Sequence, residues 1–133
     1  MTDEQVEEVY QFWLNGAEDA YQTAELIFNG GHYTHALFFC HLTIEKMLKA
    51  FVIRNTKTHA PYEHNLAELW KLSGLDMTKE PANVLDEINS FNIKGRYSDY
   101  KLAFYKKANK EYANKYLNET TKLYSWLKSQ TTQ

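Results

Sequence analysis

Apolar residues recur at spacings of three and four over most of the chain, and that rhythm predicts helices. Over residues 3–28, Val6, Val9, Trp13, Ala17, Ala20, Ala24 and Ile27 fall on one stripe, the pattern of a core-facing helix. Thr2 is placed to cap it, and acidic residues crowd its first turn, where the helix dipole favours them. The small alanines of its second half let another helix come close. Asn29-Gly30-Gly31 ends it, with glycine suited to the left-handed turn past a helix C-terminus. A second helix is predicted over residues 34–54, with Leu37, Cys40, Ile44, Met47, Leu48 and Phe51 as its stripe. His41, Glu45 and Lys49 follow one another at intervals of four and share a second line along it.

Residues 55–64 read as a polar loop holding Pro61. Asn65 and Glu68 form an N-x-x-E variant of the capping box, opening a short third helix with Leu66, Leu69, Trp70 and Leu72 as its apolar residues. Gly74 closes it, and Leu75 is placed to fold back in a Schellman-type contact. A fourth helix is predicted after Thr78, with Pro81 in its first turn and Val84, Leu85, Ile88 and Phe91 on one face. Residues 92–105 lose the rhythm and read as irregular, rich in tyrosine. A fifth helix covers residues 108–128, with Tyr112, Tyr116, Thr120, Leu123 and Leu127 in register; the tail after residue 129 is polar and expected to fray. The expectation is an all-α fold, an antiparallel four- to five-helix up-and-down bundle, in one domain spanning residues 1–133.

Composition agrees with that picture. Apolar residues make up 44% of the chain and aromatics 15%, enough for a packed core, while 2 Pro and 5 Gly are too few for the turns of a sandwich or barrel. The net charge of −2, from 15 basic and 17 acidic residues, argues against a DNA-coating protein or a polybasic membrane binder, but leaves room for a local positive site. A single cysteine, Cys40, excludes an internal disulfide and, lying in an apolar run, reads as a buried inert thiol. The first residues lack the basic start and apolar core of a secretory signal, and no run approaches the ~18 apolar residues of a membrane span. A cytoplasmic protein that does not engage membranes is expected.

The chemistry-bearing motifs are few. No Glu-x-x-His, HExxH or glycine-rich phosphate loop occurs, so no metal and no cofactor is expected. The remaining candidate is the stretch 92–101, Asn-Ile-Lys-Gly-Arg-Tyr-Ser-Asp-Tyr-Lys. Arg96 offers a planar fork of donors for phosphate, Tyr97 a face for base stacking, and Asn92 both a donor and an acceptor. The alternative is that Arg96 pairs with Asp99 or Glu45 to pin the loop to the bundle, and composition alone favours it.

Four pieces in order resemble one family. Trp13, Ala17-Glu18-Asp19-Ala20, Ala24 and Gly30-Gly31-His32-Tyr33 come first; then Ala36, Phe39, His41 and Glu45-Lys46-Met47-Leu48-Lys49-Ala50; then His64-Asn65-Leu66; then Arg96-Tyr97-Ser98-Asp99. They are similar to the E-K-x-L-K-A, H-[DN]-L and R-Y-P-D signatures of the HEPN family (higher eukaryotes and prokaryotes nucleotide-binding). The resemblance implies a helical bundle, commonly a homodimer, with polar residues of the second helix and the late arginine facing a shared cleft. It also implies a minimal nucleotidyltransferase as partner protein, in a pair of toxin–antitoxin character. Carried onto this chain, it makes Arg96, Lys49, Tyr97 and Asn92 candidates to bind nucleotide or phosphate, with Glu45, His41, Asp99 and His64 supporting them. Many members are metal-independent ribonucleases with a histidine four to six residues after the arginine. Here no histidine follows Arg96, the last being His64, and Ser98 stands in place of the family's proline. Without that imidazole the usual proton carrier for 2′-hydroxyl attack is missing. The expectation therefore leans to a non-catalytic nucleotide- or RNA-binding module. Its rivals are a ribonuclease toxin using His41 or His64, and a dimeric interaction scaffold.

Overall fold

The computed structural model of the chain describes residues 1–92 and 98–132, and for residues 98–100 the backbone alone. The first helix, α1 (Asp3–Asn29), opens in a reciprocal capping box. Thr2 Oγ1 accepts from the Gln5 N–H at 3.1 Å, and Gln5 Oε1 accepts from the Thr2 N–H at 2.8 Å. It closes in a full Schellman motif: the Gly31 N–H donates to Phe28 O at 2.9 Å and the His32 N–H to Ile27 O at 3.1 Å, with Gly31 at φ +85°. The chain turns there into α2 (Tyr33–Thr56), which runs back antiparallel along α1. Ala17, Ala20 and Ala24 are buried between the two, as their small size predicted.

The central element is α2, packed by α1, α6, α3 and α4. Of its 24 residues 15 are buried, so it has no continuous solvated face. His41, Glu45 and Lys49 lie within that buried set. A polar or charged group withdrawn from water needs partners, and these three must find them inside the fold.

Beyond α2 come α3 (Leu66–Leu72), a 3₁₀ turn at Met77–Lys79, α4 (Ala82–Asn89), α5 (Ser98–Lys107) and α6 (Lys110–Gln130). Three details differ from the sequence expectation. The helix predicted after Thr78 starts at Ala82, with Pro81 at its N-cap and the 3₁₀ turn ahead of it. The stretch 92–105, expected to be irregular, overlaps α5; among its described side chains Phe104 turns inward while Leu102 and Tyr105 are exposed, so they form no repeating stripe. The last helix starts two residues late, at Lys110, because Asn109 caps it, its Oδ1 accepting from the Tyr112 N–H at 2.9 Å. At the other end of α6, Arg54 Nη1 donates to Gln130 O at 3.1 Å while its guanidinium lies 4.6 Å from the Phe51 ring centre. The aromatics of α6 are used within the chain. Trp126 stacks on Trp70 at 5.8 Å, Tyr112 and Tyr116 pack edge-on to Phe91, and buried Tyr124 hydrogen-bonds Glu18 of α1. They are therefore not the surplus that would by itself call for a second chain. Among the described residues there is no strand, and no helix is long and apolar enough to cross a membrane.

Candidate functional site

The i, i+4 line of α2 is the core of the site. Glu45 accepts at both oxygens: Oε2 from Lys49 Nζ at 3.4 Å, and Oε1 from His64 Nδ1 at 3.0 Å. Lys49 is 6% exposed and Glu45 5%, so the pair is screened from solvent far more than a surface ion pair. The Lys49 ammonium also lies 5.3 Å from the centre of the Trp13 ring, a cation–π contact that replaces part of its lost hydration. The residue proposed to hold phosphate is thus already committed, in this state, to Glu45 and Trp13.

His64 reaches Glu45 because the start of α3 fixes its backbone. Glu63 Oε1 accepts from the N–H groups of His64 and Asn65, Asn65 Oδ1 accepts from the Glu68 N–H at 3.1 Å, and Asn89 Oδ1 accepts from the Leu66 N–H at 3.1 Å. The forward half of the predicted N-x-x-E capping box is present. The reciprocal half is not: Glu68 pairs with Lys71, and Glu63 takes the Asn65 N–H in its place. With its backbone held, His64 O accepts from His41 Nε2 at 3.2 Å.

That contact sets the tautomer of His41. A carbonyl can only accept, so Nε2 carries the hydrogen and Nδ1 is left a bare acceptor. Nδ1 is 3.9 Å from Glu45 Oε1, beyond hydrogen-bond reach, and has no partner among the described residues although the ring is 1% exposed. Burial pushes the His41 imidazolium below its usual 6.5; Glu45 and the bond to His64 O oppose this, and His64 and Lys49 add to it. The ring is neutral at pH 7.

Two clefts open beside this cluster, with His64 in the wall of both. One, of about 250 Å³, is lined by Phe38, His41, Leu42, Glu45, His64 and Asn92. The other, of about 310 Å³, is lined by Trp13, Lys49, Ala60, Pro61, Tyr62 and His64. The structure thus brings together His41, Glu45, His64 and Asn92, and places Lys49 on the far side of His64. Arg96 and Tyr97 lie outside the described residues, and Asp99 is described only as a backbone position in α5. Phe38, Leu42 and Trp13 join the candidates; Trp13 had read as core stripe, and no spacing in the sequence ties it to Lys49. Among the described residues no group of three or more His, Cys, Asp or Glu side chains is arranged to hold a metal ion. Cys40 stands apart from the site, and burial pushes its thiol up to about 12, so it supplies no thiolate near neutral pH.

Comparison with known proteins agrees with the fold. The crystal structure of TT1696 from Thermus thermophilus has the same fold, with a TM-score of 0.68 over 90% of this chain and 96% of that one, at 19% sequence identity. No curated protein is similar enough to count as a match. The family model described as HEPN domain matches residues 10–130, from the first third of α1 to the last residue of α6, and the chain belongs to the HEPN family.

Proposed function

We propose that this chain is a non-catalytic HEPN module that binds a nucleotide or a single-stranded RNA segment. In this reading it acts as a homodimer beside a separate minimal nucleotidyltransferase, in a pair of toxin–antitoxin character. The observation that carries the proposal is the buried line His41, Glu45 and Lys49 on the central helix, joined by His64 and opened to solvent by two clefts. Apolar side chains at those positions would pack the core without the cost of withdrawing charges from water. The polar line is therefore better explained by a ligand than by stability. Trp13 and Tyr62 give the Lys49 cleft aromatic faces, with Tyr62 wholly exposed. Arg96, Tyr97 and Asn92 belong to the same proposed surface, with Asp99 supporting the arginine.

The non-catalytic part of the reading rests on proton transfer. Cleavage at a 2′-hydroxyl needs one group to take its proton and another to protonate the leaving oxygen, help typically worth roughly 10²- to 10⁴-fold. The chain has no histidine after Arg96, and His41 Nδ1 is closed off from solvent. The test is a binding isotherm for fluorescein-labelled single-stranded RNA of mixed sequence, in EDTA, with strand integrity followed by gel on the same samples. Binding that weakens at least about tenfold in Lys49→Ala and Arg96→Ala, with the RNA intact, supports the proposal. Cleavage by the wild type that disappears in both Arg96→Ala and His41→Ala establishes the ribonuclease instead. The partner is tested by co-purification from the native host with mass spectrometry, where a nucleotidyltransferase is expected.

A further inference from the structure

Basic and acidic residues are unevenly spread along this chain. Residues 101–115 carry five lysines against one glutamate, whereas the rest of the chain has sixteen acidic and ten basic residues. In the fold that stretch is the elbow where α5 ends and α6 begins, turned at Asn109. All five lysines are exposed. Lys107 is neutralised, its Nζ lying 2.8 Å from Glu87 Oε2. Lys101, Lys106, Lys110 and Lys115 make no ion pair within 4 Å among the described residues. Stability does not ask for this arrangement. Lys106 and Lys107 suit the C-terminus of α5, but Lys110 stands in the first turn of α6, where the helix dipole disfavours a cation. The like charges on either side of Asn109 also repel one another. A chain of net charge −2 thus holds a local positive field at one corner, and an anion seated there relieves it.

Position narrows the choice of anion. Asn92 lines the cleft beside His41 and Glu45, and Phe91, the residue before it, is the hub on which the elbow packs. The ring of Phe104 from α5 lies 5.8 Å from Phe91, and those of Tyr112 and Tyr116 from α6 lie at 6.0 and 5.5 Å. Lys115 Nζ sits 5.3 Å from the centre of the Tyr116 ring, and Lys107 Nζ 5.1 Å from that of Tyr112. The basic elbow is therefore joined to the cleft wall through one layer of aromatic rings. An acidic protein or a lipid headgroup would need the charge alone. A polyanion with one unit in the cleft and more units beyond it uses both the charge and the adjacency. We infer that the α5–α6 elbow carries the sugar–phosphate backbone of a single-stranded RNA, one nucleotide of which occupies the cleft. Lysine meets phosphate as a point charge and reads no base, so the elbow adds affinity for the strand without sequence preference.

This inference rests on the RNA-binding reading, and the experiment separates the two. The full chain is titrated with a fluorescein-labelled single-stranded RNA of about twelve nucleotides of mixed sequence over a range of KCl concentrations, and with AMP by calorimetry. The elbow variant carries Lys101→Gln, Lys106→Gln and Lys110→Gln. A control carries Lys71→Gln, Lys79→Gln and Lys122→Gln, exposed lysines of α3, the 3₁₀ turn and the middle of α6, with the same loss of charge. Both should keep the wild-type circular dichroism. Each phosphate contact on a single strand steepens the fall of log K with log salt by about 0.7, so the elbow variant is expected to flatten the slope by about 2 and to bind the strand at least about tenfold more weakly at about 0.1 M salt. The control should keep the wild-type slope, and AMP should bind all three proteins alike. Equal slopes for the elbow and control variants overturn the elbow and leave the binding reading standing. A loss of AMP binding in step with the strand puts these lysines in the cleft itself and also overturns it. A dimer mass in light scattering that the elbow variant alone loses, with strand binding intact, gives the elbow to a second copy of the chain instead. No binding of strand or AMP by the wild type overturns both readings.

Discussion

Folding withdraws His41 from water as a neutral ring, whereas in the unfolded chain it takes up a proton near pH 6.5. Below that pH the unfolded state binds more protons than the folded one, so the stability due to the neutral ring is complete above 6.5 and is lost as pH falls toward the depressed folded value. The slope for one group cannot exceed about 1.4 kcal/mol per pH unit. Three carboxylates have lowered values: Glu18 through its bond from Tyr124, Asp76 through its bonds from Thr78, and Glu87, where burial is outweighed by bonds from Lys107 and Tyr112; their contributions are lost mainly below their ordinary values of 4.5 and 3.8, at the acid side of this window. His41→Gln keeps a side-chain donor for His64 O but cannot charge. Urea denaturation between about pH 5 and pH 7 should therefore show a flatter stability profile for the variant than for the wild type; parallel profiles would mean that His41 is not the titrating group. Part of this was readable in the sequence. Spacings of four put His41, Glu45 and Lys49 on one helical line whatever the rest of the chain does. Spacing alone did not tie His64 to them, because its approach depends on backbone bonds to Glu63 and Asn89 that no local spacing encodes; only the family resemblance set it beside Glu45 and His41.

Helix ends show how much a single residue decides at the next scale. Gly31 and Gly74 both have left-handed backbones, at φ +85° and +79°. A Cβ at Gly31 would meet nothing within 4 Å, whereas at Gly74 it would come 2.7 Å from the Asn55 side chain. Asn55 in turn donates from Nδ2 to Leu72 O at 3.2 Å, tying the end of α2 to the end of α3. Gly31→Ala should cost about 1–2 kcal/mol for the backbone alone. Gly74→Ala should cost about 2–3 kcal/mol, because Asn55 must also give up its bond. Chemical denaturation of the two variants tests the ranking, and equal losses would show that Asn55 yields freely. The glycines and caps were visible in the sequence as punctuation, and so were α1, α2 and α6, whose apolar stripes are long. The helix α5 was not: among its described side chains Leu102 and Tyr105 point outward and Phe104 inward, which makes no period.

On the molecule as a whole, the outer side of α1 carries Phe12 at 68% and Leu26 at 74% exposure, and α5 adds Leu102 and Tyr105. Large exposed apolar side chains on a small domain fit the proposed homodimer better than the α6 aromatics do, since those are consumed inside the fold. Light scattering at micromolar concentration should give twice the chain mass. Phe12→Ser with Leu26→Ser should return the chain mass with thermal unfolding little changed; a wild-type monomer at that concentration would refute the dimer. The placement of the candidate site on α2 has a consequence in time as well as in space. Amide hydrogens on a helix packed by four others over most of its length exchange with solvent mainly through unfolding of the entire domain, while a loop with few backbone bonds opens by itself far more often. The Glu45 and His41 half of the site is thus fixed for as long as the protein is folded, and the 57–62 part of the loop, which carries exposed Tyr62 and lies ahead of the bonds that hold His64, can adjust in nanoseconds to microseconds. Ligand arrival is timed by that loop, and deuterium labelling would record its slowing when the site fills, against an α2 signal that hardly changes.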